Sequence, residues 1–363
     1  MYHMLNFVFM RPGILLATAL CAVAQAQQPQ MSEDVFKNIQ VLKGIPVNQF
    51  METMGFFSAS LGVNCTYCHV QEAGGNWAKY ADDNAHKQMA RRMVLMMQSM
   101  NKANFGGRRA LTCYSCHRGD ERPRTTPSLT DLYGPPLSID ADDVFEQNPK
   151  APPAEQIFDK YLKALGGTLT SFTAQGTFQG YDEQTKSPLE IFAKSPNQRT
   201  TVIHKKGGDT TTVYDGRLAW SAAPSTEVPV TLLPLTGSDL DALKVDAELT
   251  FPANITKMFT TWRVGFPVTI DDRDMQVVQG TRVKLYFDKD TGLLARSIRY
   301  TDSPVGLNPT QTDYSDYREV AGTKFPFKWT VTWLDGRSKT ELTELKPNVP
   351  IEAGKFTKPV APK

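Results

Sequence analysis

Two copies of Cys-x-x-Cys-His constrain this chain more than any other feature: Cys65-Thr66-Tyr67-Cys68-His69 and Cys113-Tyr114-Ser115-Cys116-His117. Two thiols three positions apart, with a His directly after the second, suit one chemical task. The thiols add to the two vinyl groups of one haem, and the imidazole lies under its iron. Zinc competes for such residues, because Cys-x-x-Cys also spaces tetrahedral zinc ligands. A zinc site has no need of a His fused to each Cys pair. The pattern therefore predicts two covalently attached haems c, bound through Cys65, Cys68, Cys113 and Cys116, with His69 and His117 as axial ligands.

The rest of the cysteine usage agrees. Of five cysteines, four belong to these motifs and Cys21 lies in an N-terminal apolar run, which leaves no thiol for a structural disulfide. Arg11 precedes the run from Ile14 to Ala24, and Ala24-Gln25-Ala26 offers a small-x-small cleavage site. This predicts a signal peptide over residues 1–26 and a periplasmic protein, with an uncleaved membrane anchor as the alternative. The formal net charge of +2 provides no polybasic surface, so nucleic acid is excluded as a partner.

Along the chain, Phe50, Met54, Phe57 and Leu61 recur on one helical face that stops at Gly62. A second helix is expected from about Asp83 to Asn101, with the stripe Met89, Met93, Met96 (with Met97) and Met100. Each Met-bearing helix precedes one Cys-x-x-Cys-His. Methionine at this spacing commonly fills a core, but two haems each need a sixth ligand or leave it open. One Met per helix is thus a candidate, and His86 competes for the second haem. Arg91, Arg92, Arg108, Arg109 and Arg118 cluster around the motifs, either as propionate partners or as a solvated basic face.

The segments Val35-Phe36-Lys37-Asn38-Ile39-Gln40-Val41-Leu42, Leu61 through His69, Ala90-Arg91-Arg92-Met93 and Thr112 through Gly119 resemble the cytochrome c subunit of bacterial photosynthetic reaction centres. The resemblance covers about residues 33–120. It implies that Met54 is the sixth ligand of the haem on Cys65 and Cys68, and Met93 that of the haem on Cys113 and Cys116. The family's subunit carries four haems, and a His between the second Met and its motif serves one of the other pair. This chain has two motifs and no His between Met93 and Cys113.

Residues 121–153 hold seven prolines and few apolar side chains, which reads as a semi-rigid linker. Beyond it, Ile157, Phe158, Tyr161, Leu162 and Leu165 mark a helix ending at Gly166, and strands follow. Phe325, Phe327, Trp329, Val331 and Trp333 alternate with polar residues before an Asp335-Gly336 turn, and Val283, Leu285 and Phe287 alternate likewise. This half resembles the LolA-like lipoprotein-carrier half-barrels through Tyr214-Asp215-Gly216 with Trp220, Leu285-Tyr286-Phe287-Asp288 with Thr291-Gly292, and Tyr317 through Pro326. That resemblance implies an apolar cavity, while the same alternation also describes a plain sheet core.

The fold class is multidomain: a mainly α dihaem cytochrome domain over 27–120, the linker, and an antiparallel β domain with a packing helix over 154–363, one sheet face being polar. The expected function is electron transfer to redox partner proteins or a membrane electron-transport complex, not enzymatic catalysis. Two alternatives are a peroxidase-like haem enzyme with a displaceable axial ligand, and a lipid or quinone carrier with an attached redox module.

Overall fold

A computed structural model describes residues 27–127, 129, 133–134, 145–181 and 183–362; the signal-peptide reading and the middle of the linker lie outside them. Residues 27–127 form helices and short 3-10 turns joined by irregular chain. The helices are α1 (Ser32–Val35), α2 (Val47–Leu61), α3 (Cys65–Cys68), α4 (Ala85–Phe105) and α5 (Cys113–His117). Helix α2 ends where expected, at Gly62, whose φ of 67° is the left-handed conformation that glycine adopts without a Cβ penalty. Helix α4 starts at an Asn84 cap that accepts from the Lys87 amide, and it runs four residues past its expected end to a left-handed Gly106.

The remainder is one antiparallel sheet with two covering helices. Its strands are β1 (Ser171–Gln179), β2 (Ser187–Lys194), β3 (Gln198–Lys205), β4 (Gly208–Tyr214), β5 (Ala219–Ala222), β6 (Leu232–Leu235), β7 (Arg263–Val264), β8 (Val268–Ile270), β9 (Arg273–Gly280), β10 (Val283–Asp288), β11 (Leu294–Ser303), β12 (Gly306–Val320), β13 (Thr323–Trp333) and β14 (Gly336–Pro347). The order β6-β5-β4-β3-β2-β1-β14-β13-β12-β11-β10-β9-β7, with β8 on β9, is two meanders joined through β1 and β14. Helix α6 (Ala154–Leu165) occupies the expected span, its face of Ile157, Phe158, Tyr161 and Leu165 buried against Val283, Leu285 and Phe287.

One expectation is corrected, and two features were not foreseen. Helix α7 (Ser238–Thr250) was not foreseen, because its apolar residues form no clean stripe: it packs Leu240, Leu243 and Ala247 beside Tyr214 and Ala219 while burying Asp239. One face of the sheet was expected to be polar, yet β10 is buried on both faces, with Tyr286 packed among Ile270, Met275, Val277, Ala295 and Ile298 opposite the α6 side. The connecting segment is tied to the sheet at its end, where Gln147 bridges Gly265 and the Asn148 amide donates to the Val264 carbonyl.

The helical segment sits directly on the sheet. Phe56, Met97 and Val305 form a buried cluster that Phe57, Cys113 and Leu334 extend. Gly306 lies so close to the Phe56 ring that a Cβ there would overlap it, and Gly55 approaches the Asp335 carboxylate. Around this contact Arg109 Nη2 pairs with Asp302 at 2.6 Å, and its Nη1 donates to the Ser303 carbonyl. Burial of this apolar patch, at about 25 cal/mol per Å² of apolar surface, is the non-directional part of the attachment.

Candidate haem-binding site

The first motif forms the single turn α3, with His69 immediately after it. His69 Nδ1 lies 3.1 Å from the Tyr80 carbonyl, and the Tyr80 ring meets the imidazole edge-on with centroids 4.8 Å apart. An Nδ1–H held by a backbone carbonyl selects the tautomer whose free nitrogen is Nε2, the atom an axial ligand offers to iron. Burial, and then the Lys87 ammonium, lower the His69 pKa, which favours the neutral imidazole that coordination requires. The 3-10 turns Gln71–Gly75 and Trp77–Ala81 bring Tyr80 into place, a role the sequence reading did not detect.

The second motif forms α5, with a capping box between Thr112 and Ser115. Its histidine repeats the arrangement: His117 Nδ1 lies 3.0 Å from the Asp120 carbonyl. Buried Asn101 aims the approach to this motif. Its Nδ2 donates to the Leu111 carbonyl at 2.8 Å, and its Oδ1 accepts from the Ala110 and Leu111 amides at 3.1 and 2.9 Å. A lone Asn near the end of a predicted helix carried no such signal in the sequence. The two motifs meet through Gly119, whose amide donates 2.9 Å to the Ser60 carbonyl at the end of α2. Gly62 packs so closely on the Gly119 carbonyl that a side chain at Gly62 would collide with it.

All four motif cysteines are free thiols. Burial pushes the Cys113 thiol up to about 11 and, with help from Cys65, raises that of Cys68. Among the described residues no three or more His, Cys, Asp or Glu side chains converge to hold a metal ion, so the two motifs do not fold into a shared zinc site. The donor set at each motif, a Cys pair and an oriented imidazole, fits haem c, and α4 packs beside α3 while α2 packs beside α5.

The methionines take positions that sequence periodicity did not foresee. On α4 the buried residues are Val94, Met97 and Asn101, whereas Met89, Met96 and Met100 are 47%, 48% and 41% exposed and Met93, on their face, is half-buried. Helix α2 likewise buries Val47, Thr53, Gly55, Phe56 and Ser60 and leaves Phe50, Met54, Phe57 and Leu61 half-buried. Of the apolar stripes read from the sequence, only Met97 and Phe57 reach the seam with the sheet, beside Phe56. Gly55 and Ser60 let the α2 backbone approach its neighbours, and the thioether faces remain accessible as apolar surface that a planar apolar group can cover. His86 lies at the first motif, not the second: its Nδ1 is 2.9 Å from the Tyr67 carbonyl and its ring stacks on Tyr67 at 4.1 Å.

Of the five arginines, two engage protein carboxylates: Arg91 pairs with Asp83 at 2.9 Å, and Arg109 with Asp302. Arg92 donates to the Met89 sulfur at 3.8 Å and Arg108 to the Phe105 carbonyl at 3.4 Å. His204 sits between Asp209 (2.9 Å) and Glu190 (3.7 Å) on the sheet, away from the motifs. Among the described residues no helix is long and apolar enough to cross a membrane.

Residues 16–132 match the family model of the photosynthetic reaction centre cytochrome C subunit. The N-terminal part of the chain resembles that family. It is 39% identical over 106 residues to the photosynthetic reaction center cytochrome c subunit of Thermochromatium tepidum, covering 28% of this chain and 24% of the relative. The corresponding subunit of Roseobacter denitrificans is 30% identical over 102 residues, covering 26% of this chain and 27% of the relative. This chain thus spans about a quarter of the length of the curated relatives it matches. The C-terminal part is similar to a LolA superfamily protein from Nitrosomonas europaea, at 15% identity and a TM-score of 0.41, covering 57% of this chain and 99% of that one. The family resemblance supports a haem-containing electron-transfer protein.

Proposed function

We propose that this chain is an exported, periplasmic dihaem c-type cytochrome that transfers electrons and does not itself catalyse a substrate reaction. In this reading a mainly α dihaem module over 27–120 is joined through 121–153 to a half-barrel-like β module over 154–363. Cys65 and Cys68 hold one haem and Cys113 and Cys116 the other. His69 with Met54, and His117 with Met93, occupy the axial positions. Its partners are redox proteins or a membrane electron-transport complex.

The observation that carries the reading is the repeated histidine geometry. Each motif His is tied through Nδ1 to a backbone carbonyl, at 3.1 Å for His69 and 3.0 Å for His117, so each presents Nε2. A disulfide framework has no use for that arrangement, and a zinc site, which would share it, finds no cluster of three or more ligands among the described residues. Haem supplies a one-electron iron couple that stays in place while its charge changes. The chain's own part is to fix the imidazoles, attach the ring covalently, and offer a thioether, which raises the potential and leaves no open site for substrate.

Haem staining with an optical redox titration of the exported protein tests this. The expected result is two covalent haems per chain, both low-spin, with the ferric far-red band of sulfur-to-iron ligation at two-haem intensity. One high-spin haem that binds carbon monoxide without mutation would overturn the carrier reading in favour of a haem enzyme.

A further inference from the structure

The seam between α2 and the sheet holds a group of oxygen donors that the haem reading does not use. Asn48 and Glu52, four residues apart, share one face of α2. Thr301 on β11 and Asn308 on β12 are direct cross-strand partners, and both donate to Glu52 Oε2, at 2.7 and 3.1 Å. Asp239, in the first turn of α7, completes the group. Its carboxylate lies within hydrogen-bonding reach of the Glu52 carboxylate, and Asn48 Nδ2 donates to its Oδ2.

Two oxygens of this group are left over: Asp239 Oδ1 and Asn308 Oδ1 are buried and find no donor. Asn308 is only 6% exposed, and the bond from its Nδ2 to Glu52 aims its amide into the carboxylate pair. Arg299, whose charge acts on Asp239, is itself paired with Asp246 at 3.3 Å. Two carboxylates in contact repel, and a buried acceptor without a donor is costly. A proton shared by Glu52 and Asp239 would relieve the repulsion and leave Asn308 Oδ1 unsatisfied. A cation at the meeting point takes lone pairs from all three side chains at once. The donors are oxygens only, with neither imidazole nor thiolate, and only two are charged, so this is a hard-cation set and not a cluster of three or more His, Cys, Asp or Glu. Glu52 keeps some exposed surface, through which water can fill the remaining positions. Calcium accepts such an irregular, partly hydrated shell, whereas magnesium demands a near-ideal octahedron.

We propose that this seam binds one calcium ion, ligated by the Glu52 carboxylate, Asp239 Oδ1, Asn308 Oδ1 and water, and that the ion clamps α2 onto the sheet. Its protein ligands come from α2, α7 and β12, far apart in the sequence, so the ion binds the folded chain and not the unfolded one. The site is independent of the haem reading.

The test is calorimetric titration of the chelator-treated, haem-loaded full chain with calcium chloride and, separately, magnesium chloride, near neutral pH. One calcium per chain is expected to bind with a Kd on the order of 10⁻⁵–10⁻³ M, and magnesium at least about tenfold more weakly. Saturating calcium should raise the Tm, because only the folded chain assembles the ligands. Asp239→Asn, which keeps the shape and removes a ligand charge, should weaken calcium at least about 100-fold and leave the haem spectrum unchanged. Asn308→Ala should weaken it about tenfold, which keeps the test open if the first variant folds poorly. No calcium bound at about 10 mM, above the ~10⁻³ M ceiling of such sites, would overturn the proposal in favour of the shared proton. Magnesium binding as tightly as calcium, or a calcium affinity unchanged in either variant, would overturn it too, the latter by placing the ion elsewhere, such as on the haem propionates.

Discussion

At the scale of single residues, the axial assignments make the sharpest predictions. A thioether favours ferrous iron, so Met93→His should lower the potential of one haem by roughly 0.1–0.3 V, within the ~0.8 V that axial ligands span. Met93→Ala should let carbon monoxide bind one haem of two, whereas His86→Ala should leave both spectrum and potential in place. The placement of His86 on Tyr67, at the first motif, gives the second expectation its structural basis. If Met93→Ala keeps the full far-red intensity while His86→Ala makes one haem high-spin, the assignment is wrong. Asn101 is a different kind of residue. Its Oδ1 and Nδ2 hold the chain before α5, so Asn101→Ala should cost about 1–3 kcal/mol through buried donors and an acceptor left unpaired, read as a lower Tm.

At the scale of elements, the seam between α2 and the sheet carries a titratable pair. Glu52 Oε2 accepts from Thr301 Oγ1 at 2.7 Å and Asn308 Nδ2 at 3.1 Å, and Asn48 donates to Asp239 beside it. Burial first, and then the charge of Asp239, push Glu52 up to about 7; burial also raises Asp239, whose Oδ1 finds no donor. A protonated Glu52 is the group that can donate to Asp239. Since the folded pKa lies above the ordinary value of 4.5, this stabilisation is complete below about 4.5 and is lost as pH rises through about 7. Its full size is on the order of 3 kcal/mol. The Tm should therefore fall between pH 5 and 8, and Glu52→Gln should flatten that slope. A slope unchanged in the variant would assign the pH dependence to other groups.

At the scale of the whole molecule, the helical segment and the sheet share a buried seam and are not beads on a string. Phe56 is 7% exposed and meets Met97 and Val305 across it. Phe56→Ala should cost roughly 3–5 kcal/mol, the range for a buried Phe left as a cavity. Gly306→Ala should destabilise as well, because its methyl would overlap the Phe56 ring. Thermal unfolding followed at the Soret band and in the far ultraviolet should show both probes moving together in these variants. Separate transitions, with only one affected, would mean that the seam does not couple the two parts.

The resemblance of the N-terminal part to the reaction centre cytochrome family was legible in the chain alone. Fixed spacings are local: Cys-x-x-Cys-His forms a single turn wherever it stands, and Gly62 and Gly166 stop helices because the left-handed or otherwise unusual backbone there favours glycine. The α6 stripe and the β13 alternation were readable for the same reason, since each repeats within a few residues. Which face of a helix packs was not local. Periodicity marked Phe50, Met54, Phe57 and Leu61 as an apolar face, but the sheet took the side of Gly55 and Phe56, because close approach rewards small residues as much as greasy ones. Helix α7, the Asn101 clamp and the Glu52–Asp239 pair depend on side chains brought together from distant parts of the sequence. Only the tertiary structure decides such contacts, because their energy comes from desolvation and geometry that no spacing along the chain encodes.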